Sequence, residues 1–294
     1  MTEAVTGFAV VDKPAGMTSH DVVARVRRLA HTRKVGHAGT LDPMATGVLV
    51  LAIGRITRLL TYVTGCDKSY AATVRLGATT VTDDAEGEIT ATTDASAVEP
   101  AAIAAGLAAM VGDIHQVPSA VSAIKVAGRR SYQRVRAGEA VELAARPVTI
   151  HTLRMGQLRH EAGFCDVDIT VDCSSGTYVR AIARDLGAAL GVGGHLTALR
   201  RTAVGGFGVD EAVPLAELAE RDTPVTHSTR RTVDRLMPVR EVDAERARVL
   251  GHGGRLSTVG WQGPYAVVDP AGAVIAVVAE SGGAARPQVV LAED

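Results

Sequence analysis

The sequence predicts an α+β protein whose main sheet is mixed and mostly antiparallel. Two observations lead to this fold class. Segments with strand and helix patterns follow one another without the regular strand–helix–strand rhythm of a parallel sheet. The clearest strand pattern, at residues 166–173, places apolar side chains on one face and polar side chains on the other.

The elements of the larger, N-terminal part are predicted from apolar periodicity and turn residues. Ser19 is the expected N-cap of a helix that carries an apolar stripe. Strands are expected at residues 7–11, 48–53, 70–76, 148–153 and 166–173. Further helices are expected at residues 56–63, 100–110, 131–137 and 177–186, with a polar, acidic loop at 77–87.

A small β-rich module is expected at the C-terminal end. The character of the chain changes near Arg230, where a strand or turn and a helix are predicted within residues 238–250. Short strands are predicted at residues 265–269, 273–279 and 287–291. We therefore predict two domains, residues 1–232 and residues 233–294.

The stretch at residues 36–54, GHAGTLDPMATGVLVLAIG, carries the most informative pattern. Pro43 fixes its own φ and disfavours helix at Asp42, so this carboxylate should lie on a defined loop. The branched apolar run that follows, residues 48–53, fits a buried strand. A catalytic residue is often placed on such a loop, although Asp-Pro is equally an ordinary turn pair.

Composition predicts a soluble, cytoplasmic protein with a sizeable core. The chain has 294 residues, of which 47% are hydrophobic. No run approaches the ~20 apolar residues that a membrane helix needs, and no signal segment opens the sequence. The 3 cysteines are too few and too scattered for a disulfide framework or a zinc site. Aromatic residues make up 3% of the chain, which argues against an extended stacking surface for single-stranded nucleic acid.

Charge is segregated along a chain whose formal net charge is only −1. Acids are absent, while arginine or lysine is present, between Asp21 and Asp42, between Asp113 and Glu139, and between Asp185 and Asp210. Such a distribution predicts one basic and one acidic face. Solvated helix faces would give the same runs, but the basic stretch beside the Asp42 loop favours a polyanionic partner.

Motifs of several enzyme classes are absent from the sequence. It contains no GxxxxGK[ST] phosphate loop, no GxSxG elbow, no HExxH and no GxGxxG after a strand. The 9 histidines do not pair at metal-ligand spacing. Nucleotide hydrolysis by a phosphate loop, serine esterase chemistry and zinc protease chemistry are therefore not indicated.

Six blocks of residues form a specific pattern. They are KPAGMTS at 13–19 with GHAGTLDPMATGVL at 36–49, KSY at 68–70, LG at 76–77 with DAEG at 84–87, PS at 118–119 with SAIK at 122–125, GTYVR at 176–180 and HLTALRR at 195–201. In these blocks the chain resembles the bacterial tRNA pseudouridine-55 synthases of the TruB family. The resemblance covers about residues 7–294. It implies the pseudouridine synthase fold, followed by an RNA-binding, PUA-like module.

The resemblance also implies a reaction, the isomerisation of a uridine at position 55 in the T loop of tRNA. These enzymes cut the bond between uracil N1 and the ribose, turn the base and rejoin it through C5. Asp42 matches the essential aspartate and is the expected nucleophile. Arg180 matches the arginine that pairs with this aspartate, and Tyr70 the tyrosine that packs on the base and takes part in proton removal at C5. Attack on the sugar and attack on the base ring both remain open.

Further residues are expected to bind the substrate. His37 matches a histidine that fills the space left by extruded bases, and Leu199 matches a leucine placed against the base. Lys13 belongs to a motif that shapes the site. Tyr178 of the fifth block completes the predicted set, together with basic residues for phosphate contacts, Lys125, Arg129 and Arg130.

The resemblance implies no metal and no organic cofactor. The expected partner is the T stem-loop of tRNA, with no membrane and no obligatory protein partner, and the protein is expected to be a monomer. A guide-RNA-dependent pseudouridine synthase is one alternative, but such proteins often carry long basic tails that residues 287–294 do not resemble. An RNA-binding or RNA-folding module without catalysis is the other, and it would not need Asp42, Tyr70 and Arg180 together.

Overall fold

The computed structural model of the chain describes residues 5–119 and 143–291, together with the backbone at 125–126 and 129–130. Within these residues the strands are β1 (Gly7–Lys13), β2 (Val35–Ala38), β3 (Thr46–Ile53), β4 (Lys68–Leu76), β5 (Ala78–Thr80), β6 (Ile89–Thr92), β7 (Gly112–Gln116), β8 (Lys125–Val126), β9 (Arg129–Arg130), β10 (Arg146–Glu161), β11 (Phe164–Cys173), β12 (Gly194–Val204), β13 (Phe207–Gly208), β14 (Val213–Pro214), β15 (Val239–Glu241), β16 (Tyr265–Val268), β17 (Val274–Ser281) and β18 (Ala284–Val290). The helices are α1 (Ser19–Leu29), α2 (Leu60–Thr64), α3 (Pro100–Ala108), α4 (Val179–Ala189), α5 (Leu215–Leu218), α6 (Thr229–Leu236) and α7 (Ala244–Gly251), and a 3-10 helix spans Gly54–Leu59.

The main sheet has the strand order β14-β1-β3-β12-β4-β11-β10-β7, with β2 paired to β3 and β13 paired to β12. The pairs β1–β14 and β3–β12 are parallel, and the other pairs of this sheet are antiparallel. The predicted α+β class with a mixed, mostly antiparallel sheet is therefore confirmed. Strands β3, β12 and β4 are neighbours at its centre, which brings together three segments that are far apart in the sequence.

The apolar run of β3 is buried because both faces of the sheet are covered there. Leu49 and Leu51 belong to a core that includes side chains of α1, α3 and α4. Val48 and Val50, on the opposite face, belong to a second core that includes Val233 of α6. A strand covered on both sides is expected to be apolar throughout, and the sequence shows this at residues 48–53.

The C-terminal β-rich unit is a sheet of order β15-β16-β17-β18 with α7 against it. Its Ala266 and Val277 share the second core with the main sheet. The boundary predicted after residue 232 falls inside α6, which packs into that core through the fully buried Val233. We propose that the C-terminal module begins with β15 instead, where the chain enters the second sheet.

Two local predictions differ from the structure. The N-cap of α1 is Thr18 and not Ser19, because the Thr18 side chain accepts from the backbone N–H of Asp21, whose carboxylate accepts from the Thr18 N–H in return. The Ser19 hydroxyl is buried instead and contacts the loop before β3. The expected loop at 77–87 contains the strand β5, which pairs with β6.

The strand β7 was not predicted from the sequence, and β10 was predicted only in part. Gly112, expected to stop a helix, has φ +103° and opens β7. β10 runs to Glu161, well past the predicted end at residue 153. The prediction ended too early because register shifts and exposed polar residues interrupt the alternation of apolar and polar side chains along the strand. The helix predicted at 131–137 lies outside the described residues. Within the described part of the chain, no helix is long and apolar enough to span a membrane.

Candidate active site

A cleft of about 410 Å³ opens at the centre of the main sheet. Its wall combines the loop before β3, strand β4, the first turn of α4 and strand β12. The lining residues are Gly39, Thr40, Leu41, Asp42, Thr64, Lys68, Tyr70, Ser175, Gly176, Thr177, Tyr178, Val179, Arg180, Leu199 and Arg201. Asp42, Tyr70, Arg180 and Leu199, predicted from separate blocks of sequence, thus face one cavity.

The Asp42 loop is held in place by hydrogen bonds to the end of β1, the turn that follows it and the start of α1. The Gly16 N–H donates to the Pro43 carbonyl at 2.8 Å, and the buried Lys13 ammonium donates to the same carbonyl at 3.2 Å. The Ser19 hydroxyl accepts from the Leu41 N–H at 2.9 Å. These contacts hold the residues on both sides of Asp42, so its position does not depend on the loop alone.

Arg180 grips the Asp42 carboxylate with two of its nitrogens. Nε lies 3.0 Å from Oδ2, and Nη2 donates to Oδ1 at 3.2 Å. The Arg180 side chain is 6% exposed and the Asp42 side chain is 33% exposed. Arg180 is therefore buried in the cavity wall, whereas part of the Asp42 carboxylate is accessible from the cavity. The planar guanidinium fixes the carboxylate plane and keeps a full positive charge beside it.

A second carboxylate holds the other side of Arg180. Asp84 is 2% exposed and its Oδ2 lies 3.5 Å from Nη1, which also donates to the Thr82 carbonyl at 2.9 Å. Asp84 in turn accepts from the Glu86 N–H at 3.1 Å. Sequence reasoning placed Asp84 in a matching block but gave it no role. The only signal was an acid in a turn that otherwise looked solvated.

The environment of Asp42 disfavours its ionised form. Burial raises the pKa of Asp42, and the charge of Asp84 raises it further, while the charge of Arg180 acts in the opposite direction. A carboxylate that is poorly solvated but held ionised by a paired arginine is a competent nucleophile. The same cavity wall supplies a phenol from Tyr70 and an apolar surface from Leu199, both buried.

Other predicted residues occupy distinct places. Tyr178 lines the cleft as the N-cap of α4, and its backbone N–H donates to the Gln116 side chain at 2.8 Å. Lys13 lies beneath the Asp42 loop rather than at the cavity wall, and burial lowers the pKa of its ammonium to about 8. His37 lies in β2, with its ring 5.5 Å from that of His20. Lys13 therefore fits a shaping role, and His37 lies outside the cavity wall.

Of the predicted basic residues Lys125, Arg129 and Arg130, only the backbone belongs to the described part of the chain. Lys125 pairs with Arg130 across the short β8–β9 ladder, in which Arg129 also takes part. The side chains of these three residues lie outside the described part of the chain. Their phosphate contacts remain predictions.

Arg201 is a cavity residue that sequence reasoning did not single out. It is 1% exposed, and it stands beside Tyr70 in the ladder between β12 and β4. Its pattern in the sequence, an Arg-Arg pair in an acid-free stretch, suggested a surface charge. Among the described residues, no three histidine, cysteine, aspartate or glutamate side chains are grouped as metal ligands would be.

Comparison with family models gives three matches along the chain. Residues 27–179 match the TruB family pseudouridylate synthase N-terminal domain. Residues 180–241 match the tRNA pseudouridylate synthase B C-terminal domain, and residues 237–292 match the model described as tRNA pseudouridine synthase II, C terminal.

Several curated proteins with high identity to this chain carry the name tRNA pseudouridine synthase B. The protein of this name from Arthrobacter sp. (strain FB24) is 54% identical over 299 residues, covering 98% of this chain and 97% of that protein. The protein from Corynebacterium aurimucosum is 57% identical over 278 residues, covering 94% and 93%. The protein from Thermobifida fusca is 54% identical over 290 residues, covering 97% and 98%.

Solved structures with the same fold are more distant in sequence. A Cbf5-Nop10-Gar1 complex contains a chain of TM-score 0.73 and 23% identity, with 97% of this chain and 84% of that chain covered. An H/ACA RNP bound to a substrate RNA containing 2′-deoxyuridine contains one of TM-score 0.72 and 22% identity, with 98% and 85% covered. At this identity the likeness concerns the fold alone.

Proposed function

Because this chain belongs to the TruB family of pseudouridylate synthases, we propose that it isomerises uridine 55 in the T loop of tRNA to pseudouridine. Relatives named tRNA pseudouridine synthase B match it over nearly their whole length. The observation that carries the proposal is the two-nitrogen grip of Arg180 on Asp42, at the wall of a cleft that also exposes Tyr70 and Leu199.

Asp42 is the nucleophile in this proposal. Its carboxylate bonds to the sugar or to the base ring, the bond between N1 and C1′ breaks, and the base turns within the cleft. C5 then forms a new bond to C1′, and the bond to Asp42 breaks again to release the carboxylate. Arg180 keeps Asp42 ionised in surroundings that raise its pKa. Asp84 pairs with the other side of the guanidinium and holds Arg180 in place. Arg180 can therefore keep the Asp42 carboxylate in a fixed position.

Tyr70 and Leu199 hold the base during its rotation. Both are buried side chains at the cavity wall, so they offer the uracil ring an apolar surface. Tyr70 also takes the proton that leaves C5 after the new bond has formed. A group that accepts this proton must touch the base, and Tyr70 is the buried one of the two phenols, Tyr70 and Tyr178, that line the cleft.

The dimensions of the cleft favour a flipped nucleotide. A cavity of about 410 Å³ is in the usual range for small-molecule sites and suits a single base that has left the folded RNA. The target uridine is therefore extruded before the reaction. Exposed arginines of α1, including Arg25 and Arg28, lie on the helix whose first residue touches the Asp42 loop, and they supply phosphate contacts.

The remaining predicted contacts complete the proposal. His37 fills the gap left by the extruded bases, and Tyr178 contacts the substrate at the mouth of the cleft. Lys125, Arg129 and Arg130 bind phosphates, and the PUA-like C-terminal sheet adds a further RNA contact. The protein acts as a monomer, without an obligatory protein partner.

The test is tritium release from tRNA labelled at C5 of uridine, measured in EDTA with wild type and Asp42→Asn. Wild type is expected to release one equivalent per tRNA, and none from a tRNA with cytidine at position 55. Asp42→Asn is expected to bind tRNA without release, whereas Asp222→Asn, a change at an exposed aspartate outside the cleft, should release tritium like wild type. Tight binding without any release by wild type would favour a binding or folding role.

A further inference from the structure

Arg201 occupies an unusual position for an arginine. Its side chain is among the largest that are fully buried, and it donates to three backbone carbonyls. Nε donates to Val48 at 2.7 Å, Nη2 to Gly39 at 3.1 Å and Nη1 to Thr40 at 3.4 Å. These carbonyls lie on both sides of Asp42 in the chain, so the guanidinium clamps the loop that carries the nucleophile.

Arg201 is also the cross-strand neighbour of Tyr70. The two residues are partners in the antiparallel β12–β4 ladder, and their side chains therefore point to the same side of the sheet. Both line the cleft. A register shift between Arg201 and Ala203 disrupts the ladder just past this pair, a feature that often re-aims a side chain next to an active site.

The positive charge of Arg201 has no carboxylate counter-charge within ion-pair distance among the described residues. Asp42 and Asp84 pair with Arg180, and the neighbouring Arg200 pairs with Asp12. A buried charge is costly unless something compensates it, and carbonyl dipoles do so only in part. The cavity thus presents a cation whose natural complement is a negative charge that develops during the reaction.

We propose that Arg201 is a positioning residue that orients the Tyr70 hydroxyl and stabilises its phenolate form for removal of the C5 proton. This inference rests on the proposed function. In that step the C5–H electron pair forms the C5–C6 double bond and the C6–N1 double bond becomes a lone pair on N1. The proton passes from C5 to the phenolate oxygen and from there to N1, so that Tyr70 is regenerated.

The groups around Tyr70 determine the direction in which Arg201 shifts the pKa of the Tyr70 phenol. Burial raises the pKa of Tyr70, and the positive charge of Arg201 opposes this rise. Cys173 of β11 and Asp42 of the loop act in the same direction as burial. Two further cations line the cavity, Lys68 on the same face of β4 and Arg180 of α4. Removal of the Arg201 charge therefore lowers the fraction of phenolate at any pH below the pKa.

The experiment replaces Tyr70 with 3,5-difluorotyrosine, whose more acidic phenol brings its ionisation into a pH range where tRNA is stable. Single-turnover tritium release is measured against pH with Arg, Lys or Met at position 201. With Arg201→Met the rising limb should move to higher pH, so that release on the limb is about tenfold or more slower. Arg201→Lys keeps the charge and should move the limb less while lowering the plateau. The affinity for tRNA should be unchanged in both variants.

Three outcomes would overturn the proposal. The first is a rising limb at the same pH for all three side chains with only the plateau lowered, which indicates that Arg201 merely clamps the loop. The second is the absence of any rising limb with Arg201 in place, and the third is a displacement of the limb that persists in Tyr70→Phe. If Arg201→Met does not fold, Arg201→Gln gives the same comparison, because the amide keeps N–H donors without the charge. A wild type with natural Tyr70 that releases no tritium would instead refute the proposed function itself.

Discussion

The Arg180 guanidinium holds both carboxylate oxygens of Asp42, with Nε 3.0 Å from Oδ2 and Nη2 3.2 Å from Oδ1. The contact joins the first turn of α4 to the loop before β3, across 138 positions of sequence. Because a third nitrogen of the same group faces Asp84, the proposed nucleophile is held by a residue that is itself held in place. Preorganisation of this kind lowers the activation free energy, because the groups need not be reoriented when the transition state forms.

Arg180→Ala should reduce single-turnover tritium release by roughly 10²-fold or more, since breaking a buried charge pair costs about 3–5 kcal/mol. Binding of tRNA should change far less. Arg184→Ala is the matched control, because Arg184 lies one turn further along α4 and contacts Asp83 and Asp185 instead of Asp42. Filter binding and release are measured side by side. An equal loss of binding would identify Arg180 as a residue that binds phosphate.

The acid limb of the release rate should report Asp42. Its pKa is raised above the ordinary aspartate value by burial and by Asp84, so protonation removes the proposed nucleophile at a higher pH than for an exposed aspartate. Asp84→Asn removes a negative charge and should move the limb to lower pH. Arg180→Met removes a positive charge and should move it to higher pH. Rates measured across the acid range check both directions, and a shift of the same sign in both variants would contradict this electrostatic picture.

Charge reversal at Arg129 and Arg130 should weaken tRNA binding and flatten its salt dependence. For every phosphate that the protein no longer neutralises, the slope of log affinity against log salt falls by about 0.7–0.9. Catalysis at saturating tRNA should be retained. Arg221→Glu, at an exposed arginine outside the three basic stretches, serves as the control. An unchanged slope would remove the β8–β9 residues from the interface.

Gly47→Ala should destabilise the fold. Gly47 has φ +99°, and a Cβ there would lie 2.1 Å from the Arg201 carbonyl oxygen, where β3 and β12 meet. The strained φ alone costs on the order of 1–3 kcal/mol, and the clash with rigid backbone adds to it. Gly191→Ala is the matched control, with φ +73° and nothing within 4 Å of its Cβ. Urea unfolding should show a clearly larger loss of stability for Gly47→Ala than for Gly191→Ala.

The Asp42 loop and β3 could be predicted from sequence because their signals are local. Proline restricts the residue before it, and a short branched run between glycines reads as a strand without knowledge of its partners. Tyr70 and Leu199 look like ordinary core residues, and only the resemblance gave them a role. Their burial agrees with either reading.

Asp84 and Arg201 could not be predicted because their meaning depends on long-range pairing. Asp84 gains its role only where α4 places Arg180 against it. Arg201 becomes a cavity residue only when β12 pairs with β3 on one side and β4 on the other. A charge in a sequence reads as solvated until the fold shows what surrounds it, so buried charges are the residues that pattern analysis misses most easily.

The central position of β12 in the sheet determines when the cleft can form during synthesis on the ribosome. Asp42 and Tyr70 emerge early, whereas Arg180 and the strand Gly194–Val204 follow more than 100 residues later. Strand β3 has no parallel neighbour, and the cleft has no second wall, until that strand has been synthesised. Long-range pairing of this kind is slow relative to local structure formation. A nascent chain that ends before β12 therefore carries Asp42 without a complete cleft, and we expect the proposed activity to start only once the central strand has docked.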